Sequence, residues 1–108
     1  MDNFELPQLF RDRPAGHNYF ELIRVAAMSA GLYVLQPGEP DKQGPHHEDE
    51  LYYVVSGRAT IRVGTEDKPV APGSAIFVPA DVEHHFHSIT AELQVLVVFA
   101  PAENAITT

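Results

Sequence analysis

The chain has 108 residues, enough for one domain with one core, and its 44% apolar and 20% charged content is that of an ordinary folded protein. A net charge of -8 with histidines neutral sets the surface against phosphate backbones and acidic bilayers, so neither nucleic acid nor membrane is expected as a partner. The absence of cysteine excludes disulfides, thiolate metal sites and thiol nucleophiles.

In chain order, MDNFELPQLF carries acids and a proline where a secretory leader would be basic and then apolar. No apolar run reaches membrane-spanning length, and the expected location is cytoplasmic. Residues 1–18 read as an irregular lead-in, because Pro7, Pro14 and Gly16 interrupt any period. Phe4, Leu6, Leu9 and Phe10 are too apolar for a free tail and are expected to lie across the domain or a partner subunit. Strand-like segments then recur at short spacing: 19–28, 31–36, 50–57, 58–64, 74–80, 84–89 and 93–100. Gly31, PGEP (37–40), Ser56-Gly57, VGTEDKP (63–69) and Pro72-Gly73 stand between them as turns. Short strands separated by Gly and Pro predict an all-β sandwich or barrel over 19–100, with 101–108 as a tail. Helix signals are poor, since no N-cap opens a sustained 3.6-residue period.

Alternation sorts the side chains of these strands. His46, Glu50, Tyr52 and Val54 share a face if 44–56 stays extended, and His84 shares a face with Phe86. Five of the six histidines fall in the two clusters His46-His47 and His84, His85, His87. Histidines and carboxylates gathered this tightly are costly to bury unless something binds them. Glu48 and Asp49 read as solvated acids at a barrel mouth, and His47, His85 and His87 as solvated imidazoles.

The sequence resembles the cupin superfamily, whose first motif is G-x5-H-x-H-x3-4-E-x6-G and whose second is G-x5-P-x-G-x2-H-x3-N. Gly38, His46, Glu50 and Gly57 match the first motif, with Gly44 in place of its first histidine. Gly73, Pro79 and His84 match the second, with Asp81 in place of its glycine and Ser88 in place of its asparagine. The resemblance implies a double-stranded β-helix, that is, a small jelly-roll barrel. It also implies a divalent metal held by His46, Glu50 and His84, with Fe(II) favoured and Zn, Mn or Ni as alternatives. His47 on a bulged strand, Gln43 or a water is available for the place of the first histidine. Tyr52 is the candidate catalytic phenol. Tyr33, Phe77, Phe86 and Phe99 are the candidate pocket residues, and Phe20, Leu22, Leu35 and Val97 would line or seal the barrel. Arg24, Arg58 and Arg62 are the available cations. The expected function is a metal-dependent enzyme acting on a small organic molecule, dioxygenase-like or isomerase-like. The alternative is a non-catalytic small-metabolite-binding cupin. A homodimer is expected, through the lead-in and 93–100.

Overall fold

The computed structural model describes residues 1–14, 16 and 18–104. Part of the expected tail, 105–108, lies outside the described residues. One helix, α1 (Leu6–Arg11), precedes six strands: β1 (Tyr19–Val25), β2 (Met28–Leu35), β3 (Asp49–Val63), β4 (Glu66–Val70), β5 (Ala75–Val78) and β6 (His84–Ala100). All pairings are antiparallel, in the order β1-β2-β6-β3-β4, with β5 joined to β3. This is an all-β jelly-roll barrel, and β3 and β6 run its whole length.

The two long strands correct the sequence reading. Ser56-Gly57 is not a turn, and β3 continues through it for 15 residues. The buried positions of β3 are Glu50, Tyr52 and Val54, then Ala59 and Ile61. In β6 they are His84 and Phe86, then Ile89, Leu93, Val95, Val97 and Phe99. Each strand thus changes parity once. A strand with strict period 2 cannot do that without an extra residue. The β3–β6 register shifts between Val54 and Thr60, and Ser88 takes φ 54, so the irregularity sits where the parity changes. Both halves of each strand thereby face one core.

Gly57 has φ 95, and a Cβ there would collide with the Glu92 carbonyl group. Both the backbone sign and the close approach require glycine. Two motif departures also have left-handed backbone: Asp81 (φ 66), where the motif has glycine, and Ser88. Aspartate tolerates that region better than most residues, and Asp81 also accepts from His47 Nδ1 at 2.8 Å.

Three further differences have local causes. The lead-in is helical over Leu6–Arg11: Pro7 sits in the first turn, where its missing N–H costs nothing, and Arg11 sits in the last turn. At six residues, α1 is too short for periodicity to announce it. Phe10 is buried against Leu32 and Val34, flanked by Leu6, Leu9, Phe20 and Leu22. Phe20 and Leu22 therefore lie under the helix, not in the barrel. The β1–β2 turn is Ala26-Ala27, since Val25 pairs with Met28, and Gly31 lies inside β2. Strand β4, EDKPV, has no apolar alternation because four of its five residues are exposed on an edge that tolerates Pro69.

Gly57→Ala should cost about 1–3 kcal/mol of stability, read as a fall in urea midpoint at unchanged slope. Ser88→Gly should raise stability by about 0.5–1 kcal/mol in the same measurement, by relieving a left-handed serine.

Candidate metal centre

Glu50 enters at the start of β3, with Phe99 beside it on β6 and Val78 on β5. His84 is the first residue of β6, and His46 ends the loop that leads into β3. One ligand atom from each of His46, Glu50 and His84 lies within 4.8 Å of the others. The expected trio is therefore brought together.

The chemistry of that contact is unbalanced as it stands. His84 Nδ1 lies 2.9 Å from the Val82 carbonyl oxygen, which fixes the ring proton on Nδ1. Nε2 then presents a lone pair, 3.0 Å from Glu50 Oε1. Both side chains are buried, at 1% and 2% exposure. Neither Glu50 oxygen nor His84 Nε2 has an aligned hydrogen-bond partner among the described residues. Two buried acceptors facing each other require a proton or a cation between them. Two donors bound side by side to one ion at about 2.1 Å stand roughly 3 Å apart, so the separation suits a metal. The residues present fit a divalent ion.

The surrounding wall is a cavity of about 130 Å³, lined by Tyr19, Tyr33, Gln43, His46, Glu50, Tyr52, Val97, Phe99 and Glu103. The Tyr52 hydroxyl donates to Gln43 Oε1 at 2.9 Å. Burial, with the nearby Glu50 carboxylate, raises the Tyr52 phenol well above its ordinary pKa, so it keeps its proton. The Tyr33 hydroxyl donates to Asp41 at 2.5 Å. The Tyr19 hydroxyl is buried, lies over the bare Cα side of Gly31, and has no partner among the described residues. The His46 ring meets the Phe99 ring edge-on at 4.9 Å, and its Nδ1 lies 3.6 Å from Glu103. Burial raises the Glu103 carboxyl pKa; His46 opposes this, and Glu48 and Glu50 add to it.

Several expected residues lie elsewhere. His47 is solvent-exposed and bonded to Asp81, pointing away from Glu50. Phe77 is 59% exposed and pairs with Leu51 outside the barrel, because Val78 takes the inward position opposite Glu50. Phe86 is buried beneath Tyr52, their rings 5.0 Å apart, and does not line the cavity. Glu48 is buried rather than solvated and accepts from the Asn104 backbone N–H. Arg24 pairs with Glu21 and Arg62 with Asp67, and Arg58 is exposed, so none of the three lines the cavity. Sequence reasoning misses Tyr19 and Glu103. Tyr19 is read only once Gly31 is known to face it, and Glu103 lies in what reads as a tail.

The Cupin domain family matches residues 31–99. The Streptomyces coelicolor protein SCO3923 is 50% identical over 105 residues, 96% of this chain and 100% of that protein. The crystal structure of TT1209 from Thermus thermophilus superposes with a TM-score of 0.80 at 32% identity, covering 94% of this chain and 99% of that one. A chain from the crystal structures of the DMSP lyases RdDddP and RnDddQII gives a TM-score of 0.72 at 27% identity, over 82% of this chain and 49% of that one. The family match takes in the strands that carry both Glu50 and His84, and the chain belongs to the cupin domain family.

Proposed function

We propose that this chain is a metal-dependent enzyme that moves a proton on a small organic molecule, isomerase-like or lyase-like, at His46, Glu50 and His84. The observation that carries this is the buried, unpartnered pairing of Glu50 with His84 Nε2, beside a cavity lined with protic groups. His46, Glu50 and His84 would hold a divalent ion, Fe(II), Mn, Ni or Zn, which when bound would supply a Lewis acid for a substrate oxygen. The chain's own residues do the rest. Tyr19 offers its O–H to the substrate. Glu103, whose carboxyl pKa is raised by burial, stands at the cavity edge, placed to exchange a proton with the substrate. Val97 and Phe99 exclude water from one wall.

A volume of about 130 Å³ is well below the roughly 300 Å³ where drug-sized pockets begin, so the substrate has few heavy atoms. No lysine or arginine lines the cavity among the described residues, while Glu50 and Glu103 do. This favours a neutral, zwitterionic or singly charged substrate over a polyanion. The DMSP lyases among the similar structures support elimination as the reaction type. Dioxygenation, which the same ligand trio can host, makes no use of the unpartnered Tyr19 hydroxyl in the cavity wall. Gly44 in place of the motif histidine favours one other reading, a cupin that binds a small metabolite without turnover.

The purified protein should hold about one divalent metal per chain, lost in both His46→Ala and His84→Ala by elemental analysis. Burial lowers the His84 pKa, but the Glu50 carboxylate and the Val82 carbonyl more than offset it, and the net direction is upward. A raised pKa means that a proton competes for Nε2 at higher pH than for an ordinary histidine. Metal affinity, titrated calorimetrically, should therefore fall as pH drops through that raised value and level off above it.

In D2O, the metal-loaded protein should wash deuterium into members of a panel of small carbonyl compounds without consuming O2, and chelation should stop it. Stoichiometric O2 consumption would select dioxygenation instead. Ligand-dependent stabilisation with neither exchange nor O2 uptake would select the binding module.

A further inference from the structure

The first motif histidine is missing, and the structure offers a specific substitute. A Cβ at Gly44 would meet nothing within 4 Å, so that position contributes no group to the site. The neighbouring side chain does. Gln43 lines the cavity with His46, Glu50 and Tyr52.

The amide of Gln43 is held in one orientation. Its Nε2 donates to Asp41 Oδ2 at 2.7 Å. The Asp41 carboxylate also receives the Tyr33 hydroxyl at 2.5 Å and the Phe86 backbone N–H at 2.8 Å. A carboxylate only accepts, so the nitrogen of Gln43 must face Asp41 and its oxygen must face away. That oxygen accepts from the Tyr52 hydroxyl at 2.9 Å and lies 3.4 Å from His46 Nε2. A carbonyl oxygen retains a second lone pair after accepting one hydrogen bond. The 3.4 Å spacing is close to the roughly 3 Å expected between neighbouring donors on one ion.

We propose that Gln43 Oε1 is the fourth protein donor to the metal, in the place of the missing histidine, held there by Asp41 and Tyr52. This rests on the metal reading above and adds its donor set: two imidazoles, one carboxylate and one amide oxygen. Replacing an imidazole by an amide oxygen makes the site harder. It shifts preference toward oxygen-favouring ions such as Mn(II), relative to Zn(II). Asp41 acts as a positioning residue, since it touches Gln43 and not the ligand trio.

The test compares Mn(II) and Zn(II) affinities of the full chain and of Gln43→Ala, with the thermal midpoint of each metal-free protein. Gln43→Ala should lose about 10–100-fold in Mn(II) affinity and less in Zn(II) affinity, beside a lowered metal-free midpoint, because the buried Tyr52 hydroxyl loses its acceptor. Wild-type Mn(II) affinity in Gln43→Ala, or equal losses for both ions, would overturn the proposal.

A second measurement needs no variant. With glutamine labelled by 13C at Cδ, electron–nuclear double resonance of the Mn(II)-loaded wild type should show one carbon at about 3 Å. Its absence would overturn the proposal even if Gln43→Ala failed to fold. A wild type that binds none of these ions would instead overturn the metal reading, which separates the two failures.

Discussion

A carboxylate buried among apolar side chains, with no aligned hydrogen-bond donor on either oxygen among the described residues, is the constraint around which this molecule is arranged. Glu50 sits in that position, and His84 Nε2, 3.0 Å from its Oε1, offers another lone pair. Taking such groups from water costs several kcal/mol per unpaired charge, so the fold tolerates the pair only with a cation or a proton between them. The neighbouring interactions keep the site in that condition. Val82 takes the other nitrogen of His84, and Asp41 takes the amide nitrogen of Gln43. Tyr52 donates to Gln43 Oε1. What is left facing inward is a set of acceptors, arranged by hydrogen bonds that satisfy the groups around them.

The barrel reaches this arrangement by bending its two longest strands. Glu50 and Tyr52 occupy even positions of β3 and face the same core as Ala59 and Ile61 on odd ones. His84 and Phe86 do the same against Val95 to Phe99 on β6. Without the change of parity, one half of each strand would turn its apolar side chains to solvent. The glycine at position 57 is the visible cost of the bend. Its backbone approaches Glu92 too closely for any side chain.

Much of this is legible in the sequence. Strand spacing and the two motif segments point to the all-β barrel, and the trio His46, Glu50 and His84 comes from matching positions. Alternation within a short segment places Tyr52 and Phe86 inward correctly. It fails wherever a bulge intervenes, which is why Ser56-Gly57 reads as a turn. Helix α1 is hidden by its length, and β4 by its charge. Phe77 reads as inward on hydrophobicity alone, although its parity is opposite to that of Val78. Gln43 is legible only as one of the groups near the missing motif histidine; Tyr19 and Glu103 take their places through contacts between segments apart in sequence, and no local pattern records those. Glu48 reads as a surface acid because its partner, the Asn104 backbone, lies 56 residues away.

The segment after β6 is part of the cavity wall. Ala102, Glu103 and Asn104 are tied by their backbone N–H groups to Ala26, Ser29 and Glu48, and Glu103 faces His46. This orders the birth of the site on the ribosome. His46 and Glu50 emerge before His84, and the wall formed by Val97, Phe99 and Glu103 is missing until β6 and the residues after it have been made. A nascent chain emerging from its N-terminal end therefore exposes the His46 imidazole and the Glu50 carboxylate to the surroundings before it can shelter them. Enclosure of the site is thereby deferred until the residues beyond β6 have docked, when the cavity first has all of its walls.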